Sequence, residues 1–232
     1  MDQFKILQAN KNHLDFVPDI LKTIEESAKI RGTGIAKRQP EYIQSKILEG
    51  KAIIALYGSE FAGFCYIETW GHYKFVANSG LIVKPEFREK GLAKQIKQAT
   101  FQLSRDKYPE AKIFGLTTGL AVMKINSSLG YRPVTFSELT SDNAFWDGCK
   151  SCVNFDILER TNRKNCLCTG MIFDPSWEKS KANPINSEIK RQHSLQVYNR
   201  WFRYKYFVLT KFVRFSTILT KNRKKALSSI NQ

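Results

Sequence analysis

Arg88, Gly91 and Ala93 follow a short apolar run, Leu81-Ile82-Val83, that Pro85 cuts off. The run favours a strand, and proline ends it by fixing φ and bringing no N–H to a ladder. From Leu92 onward, Leu92, Ile96, Ala99, Phe101 and Leu103 recur along one side of a helix. A strand, a basic turn and a helix start in this order present backbone N–H groups and the positive end of a helix dipole to an anion. Gly91 lets the main chain approach a phosphate with no Cβ in the way, and Arg88 adds a fixed charge. The turn contains neither the Gly-Lys-Ser/Thr of a nucleotide P-loop nor a Gly-x-Gly-x-x-Gly dinucleotide turn. It predicts a ligand that carries phosphate.

A second constellation is Cys149-x-x-Cys152, thirteen residues, then Cys166-x-Cys168. Two close pairs of thiols suit a tetrahedral thiolate site with structural Zn²⁺ as its occupant. The competing reading is four unligated, partly buried thiols, since free cysteine behaves as a small apolar residue. Cys65 lies in the middle of an apolar run and reads as core.

The elements that must hold these residues can be read in order. Phe4-Lys5-Ile6 suggests a first strand, and residues 13–30 a helix with Asn12 as N-cap and Asp15 as its capping-box partner. A glycine-rich basic loop with Arg31, Lys37 and Arg38 leads to a second helix over 41–48. Residues 51–57 and 61–69 form an antiparallel pair around Gly58-Ser59-Glu60. The helix after Ala93 ends near Tyr108-Pro109, followed by a strand over 113–117 and a helix over 120–129. This predicts a mixed α/β (α+β) fold, with a mostly antiparallel central sheet flanked by helices. The organisation expected is a domain over 1–135, a cysteine-rich extension over 136–178, and a linker with a basic helical tail over 179–232.

The pattern Val-x-Pro-x-x-Arg-x-x-Gly-x-Ala at 83–93 resembles the acetyl-CoA pyrophosphate loop of the GNAT (Gcn5-related) N-acetyltransferases. Asn126-Ser127-Ser128-Leu129-Gly130-Tyr131 resembles the end of that family's second CoA-contacting helix and its Gly-aromatic turn. The resemblance covers roughly residues 1–135 and implies a GNAT fold with acetyl-CoA as the acyl donor. It implies CoA contacts by Leu81, Ile82, Val83, Arg88, Glu89, Lys90, Gly91, Leu92, Ala93 and Asn126. Many relatives carry glycine where Glu89 stands, so this acid must point away from a diphosphate. The family's usual proton donor to the leaving thiolate is a tyrosine four residues before the turn, where this chain has Asn126. An amide cannot give up a proton as a phenol can, which leaves Tyr131 as a substitute. For the general base the resemblance points to Glu68 or His72 near the acceptor cleft, and either could equally be a surface residue.

The first two helices flank the acceptor site in that family, so Arg31, Lys37 and Arg38 could pair with a substrate carboxylate, or could simply be a solvated basic loop. The specific expectation is N-acetylation of an amino acid such as glutamate, as in amino-acid biosynthesis. A fainter likeness to stand-alone N-acetylglutamate synthase-like proteins with a cysteine-rich extension agrees with it. The alternatives are a protein or peptide N-acetyltransferase, or a CoA-binding module that serves RNA or a membrane.

The net charge of +16 is concentrated: eleven Lys and Arg against one acid lie from Glu188 onward. Aromatic and apolar residues recur there at helical spacing. The tail is read as a helix packed on its own domain or across a homodimer, with contact to an anionic membrane or RNA as rivals. No run of eighteen apolar residues crosses a bilayer, and Met1–Lys5 does not open like a signal peptide, so a cytoplasmic protein is expected.

Overall fold

The computed structural model describes residues 3–31 and 38–181. The side chain of Arg31, the loop with Lys37, and everything from residue 182, including the basic tail, lie outside the described residues. Residues 1–175 form one compact unit.

Seven strands make one sheet in the order β1-β2-β3-β4-β5-β7-β6. They are β1 (Phe4–Gln8), β2 (Ala52–Tyr57), β3 (Glu60–Trp70), β4 (Phe75–Val83), β5 (Lys112–Thr117), β6 (Arg132–Val134) and β7 (Thr169–Phe173). Only β4 and β5 run parallel; the other neighbours are antiparallel. The mixed, mostly antiparallel sheet flanked by helices is the one expected from the sequence.

Both faces are covered, which is why β2 and β3 are nearly continuous apolar runs rather than alternating ones. Helix α3 (Leu92–Lys107) covers one face, where Ile53, Ala62, Cys65, Ile67 and Val76 pack with Leu92, Ile96 and Leu103. Helices α1 (Val17–Arg31) and α2 (Pro40–Leu48) cover the other, where Ile54, Phe61, Phe64 and Tyr66 pack with Ile20, Ile24, Ile43 and Ile47. Cys65 is in the core, as expected. Helix α4 (Leu120–Ser128) follows β5.

One local expectation is corrected. The first helical segment opens as a 3-10 turn over Lys11–Phe16, and α1 begins only at Val17, with Pro18 in its first turn where no N–H is needed. Its capping box is set by Asn10: Asn10 Oδ1 accepts from Asn12 N at 3.0 Å, and Asn10 N donates to His13 Nδ1 at 3.1 Å. The segment expected as an extension beyond residue 135 contributes β7 to the sheet, between β5 and β6. Its apolar Met171-Ile172-Phe173 is buried, and α5 (Asn143–Asp147) and α6 (Phe155–Arg160) lie in the excursion before it.

Candidate active site

β4 and β5 are paired only where Phe75–Ala77 meet Lys112–Phe114. Beyond that point β4 runs on to Val83 and β5 to Thr117 with no bonds between them, so the two strands form a wedge. The cause lies on the far side of β4. Tyr66 pairs with Ser79 and Phe64 with Ile82, so β4 holds one residue more than β3 across this interval. Such a bulge bends the strand and increases its twist. Gly80 makes it possible: its φ is +66°, and a Cβ there would stand 2.4 Å from the Tyr66 ring.

At the open end of β4 the chain makes a 3-10 turn over Pro85–Phe87, then the turn before α3. Gly91 caps the helix with φ +75° and no side-chain hydrogen bond. The first helical bonds are those of Lys94 and Gln95, both to Gly91 O, at 3.1 and 3.3 Å. Among the described residues, the N–H groups from Glu89 to Ala93 have no acceptor in the chain, which leaves an anion-binding set of amides at a helix N-terminus. Glu89 is exposed and takes φ +62°, the left-handed conformation that glycine adopts without strain. Arg88 is not held out toward solvent. Its Nε donates to Val83 O at 3.1 Å and its Nη2 to Ser27 Oγ at 3.3 Å, so it braces the turn against β4 and α1.

The wedge opens into a cavity of about 430 Å³. Below it on the α3 face is a buried polar group. Asn78 Oδ1 accepts from Lys97 Nζ at 3.1 Å and from the Tyr131 hydroxyl at 2.9 Å, and Asn78 Nδ2 donates to Ser104 Oγ at 2.8 Å. Tyr131 is sealed among Phe101 and Phe173, does not line the cavity, and burial holds its phenol well above its ordinary pKa. Its hydroxyl is committed to Asn78, so a role as proton donor is not supported. Asn126 is 1 % exposed and lines the cavity; Nδ2 donates to Met171 Sδ at 3.7 Å, while Oδ1 is buried without a partner among the described residues.

On the α1–α2 face the cavity meets Arg38, Tyr42, Tyr66 and Glu68. Arg38 Nε donates to the Tyr66 hydroxyl at 2.8 Å, with its guanidinium carbon 5.1 Å from the Tyr42 ring centroid. Glu68 pairs with Lys46 at 3.2 Å, both side chains being only 12–13 % exposed. Burial, then the neighbouring Tyr66 and Glu68, push the Tyr42 phenol far up. The structure therefore brings Glu68 and Arg38 to one cavity. His72 is outside it, exposed in the turn from β3 to β4 with φ +53°.

All four cysteines of the two pairs line the same cavity. Burial, reinforced by the neighbouring thiols, pushes Cys149 up to about 11 and Cys168 up to about 12. Among the described residues no group of three or more His, Cys, Asp or Glu side chains is arranged to hold a metal ion. The tetrahedral Zn²⁺ site expected from the spacing is therefore not supported.

Trp70 and Asn154 were not legible as site residues. Both line the cavity, and Trp70 Nε1 and Asn154 Nδ2 are buried without partners among the described residues. Lys97 and Asn78 were also missed. The sequence signal for Lys97 is its spacing to Thr100 and Ser104, which puts three polar residues along one buried stripe of α3.

The profile of the Acetyltransferase (GNAT) family matches residues 21–121. No curated protein matches the chain. Among solved structures, N-acetylglutamate synthase from Neisseria gonorrhoeae, complexed with coenzyme A and N-acetyl-glutamate, superposes with a TM-score of 0.54 at 16% identity, over 75% of this chain and 35% of that one. The present chain thus spans about a third of that enzyme's length. Rv2747 from Mycobacterium tuberculosis, in complex with CoA, gives 0.52 at 15% identity over 73% of this chain and 98% of that one. For yncA from Salmonella typhimurium, with its cofactor acetyl-CoA, the values are 0.51, 10%, 75% and 94%. These likenesses concern the fold. Residues 21–121 thus match the GNAT acetyltransferase profile, and the bulged strand, the splayed neighbour and the amide-rich turn within that span agree with the match.

Proposed function

We propose that this chain transfers acetyl from acetyl-CoA to the amine of a small acceptor that bears a carboxylate, with glutamate as the specific case. The fit to CoA rests on the unpaired amides from Glu89 to Ala93, the unpaired strand edges of the wedge, and the orphaned Asn126 Oδ1. Acetyl-CoA supplies the activated acyl group. The residues assigned to hold it are Leu81 to Val83, Arg88 to Ala93 and Asn126, with Arg88 acting by bracing the turn.

The observation that carries the acceptor class is an excess of donors. Arg38, Trp70 Nε1–H and Asn154 Nδ2–H all line the cavity, and the last two have no acceptor among the described residues. Buried donors without partners are costly, and a carboxylate offers several lone pairs to satisfy them. Arg38, bonded to Tyr66, would place its positive charge beside that carboxylate. Glu68 acts as general base, removing the ammonium proton through water. N-acetylglutamate synthase shares this fold, which agrees with the acceptor named but does not carry it.

A thiol-release assay with acetyl-CoA against glutamate, other amino acids, polyamines and peptides tests the reading. Turnover on glutamate or another amino acid, with none on polyamines, is the expected result. Turnover confined to peptides would replace the acceptor assignment and leave the transfer reaction standing. CoA binding with no turnover on any amine would remove the enzymatic reading.

A further inference from the structure

We propose that Lys97 gives the proton that the departing CoA sulfur takes up, with Asn78, Tyr131 and Asn126 holding the site for that step. This rests on the acetyl-CoA reading above and adds a residue to it.

Lys97 is 2 % exposed and has no carboxylate partner among the described residues. Its ammonium has only the neutral Asn78 Oδ1 at 3.1 Å and the face of Tyr131, whose ring centroid lies 5.2 Å away. An unpaired buried cation is expensive, and methionine or leucine would fill the same space without that cost. The surroundings nonetheless organise it. Tyr131 and Ser104 fix the Asn78 amide with its oxygen toward Lys97, and Asn126, with its free buried oxygen, lines the cavity alongside. An ammonium has three donors, so Lys97 can serve a further acceptor.

The faces of the sheet decide which reaction partner that acceptor is. The amide-rich turn begins the same helix that carries Lys97, so a CoA arm held there comes to the wedge along the α3 face. Tyr66 packs on the α1–α2 face, and alternation along β3 puts Glu68 with it. The incoming amine and the leaving sulfur are thus served from opposite sides of the wedge. The titratable groups facing Lys97 are Cys65 from β3 and Tyr131 from the turn after α4, and burial raises the pKa of both. The β4, β5 and α4 residues that line the cavity, Asn78 and Asn126 among them, carry no titratable side chain. Burial brings Lys97 itself down to about 8, which suits a donor working near neutral pH.

In the step, the amine nitrogen bonds to the thioester carbon and the C–S bond breaks with its electron pair on sulfur. One Nζ proton moves to that sulfur, leaving the free thiol of CoA and a neutral lysine. The surplus proton of the acceptor nitrogen goes through Glu68 to water, and Lys97 recovers a proton from water once the thiol has left.

Calorimetry at neutral pH with CoA and with desulfo-CoA, the same molecule lacking its thiol, tests this without an acceptor. In the wild-type chain CoA is expected to bind about tenfold tighter than desulfo-CoA, the size of a charge-assisted hydrogen bond. In Lys97→Met that preference should vanish while the affinity for desulfo-CoA stays within about twofold. A preference unchanged in Lys97→Met overturns the proposal. Should the variant not fold, the ultraviolet absorbance of the thiolate in wild-type-bound CoA decides: its pKa should fall about one unit or more below that of free CoA, and an equal or higher value overturns the proposal. A wild-type chain that binds neither molecule would instead remove the acetyl-CoA reading itself.

Discussion

At the end of the cavity under α3 the protein offers main chain: a bulged strand, a neighbour that splays away from it, and a run of unpaired amides within residues 78–93. Elsewhere it offers side chains gathered from distant segments, with Arg38 and Glu68 beside α2 and Trp70, Asn154 and four thiols meeting the same cavity. In the proposed reaction the first end would hold a diphosphate and a thioester, groups common to every reaction of a CoA enzyme, for which backbone geometry suffices. The second must recognise one acceptor among many, and only side chains differ enough to do so. Generic chemistry is held by a contiguous stretch, and specific chemistry by residues that the fold brings together.

Substitutions at the two ends should separate these roles. Glu68→Gln is expected to lower kcat/KM by about 10²-fold or more, as for loss of a general base, while calorimetry finds CoA affinity unchanged. Weakened CoA binding in that variant would mean the two ends are not separable.

Lys97→Met should raise thermal stability at neutral pH. Burial lowers the folded pKa from 10.5 to about 8, a cost of about 3 kcal/mol at most. The cost is complete below pH 8 and fades as pH rises to 10.5, because the unfolded chain still holds a proton that the fold has released. Melting curves against pH should therefore show the variant's advantage of several degrees shrinking over that interval.

Gly91→Asp places a negative charge against the amide-rich turn and forces a Cβ into φ +75°. About a thirtyfold loss of CoA affinity is expected, with turnover at saturating acetyl-CoA much less affected. The smallest effect is chemical. Native Cys149 and Cys168 should react with iodoacetamide at neutral pH about tenfold or more slowly than in the unfolded chain, because burial keeps them protonated. Mass spectrometry of the labelled peptides reads this directly.

What was legible follows the same division. Val83, Pro85, Arg88, Gly91 and Ala93 announced a turn because each position there is constrained by backbone conformation, and such constraints survive as spacing. Asn126 was legible as a candidate site residue from its place before the Gly-aromatic turn, and it lines the cavity. Lys97 was not, since a lysine in an amphipathic helix reads as solvated until its neighbours show that its stripe is buried. His72 illustrates the opposite error: closeness in sequence to Glu68 does not carry across the tight turn that sends it outward. The thiols were visible as a cluster and do gather at one cavity, but spacing could not reveal that among the described residues they are not arranged around one metal position.

The insertion of β7 between β5 and β6 sets an order of events during synthesis. Until residues 169–173 leave the ribosome, β5 has a raw, unpaired edge and residues 132–134 have nothing to dock on. A nascent chain halted before this point holds the amide-rich turn but an open sheet, vulnerable to adhesion between chains. Closure of the sheet waits for the last strand.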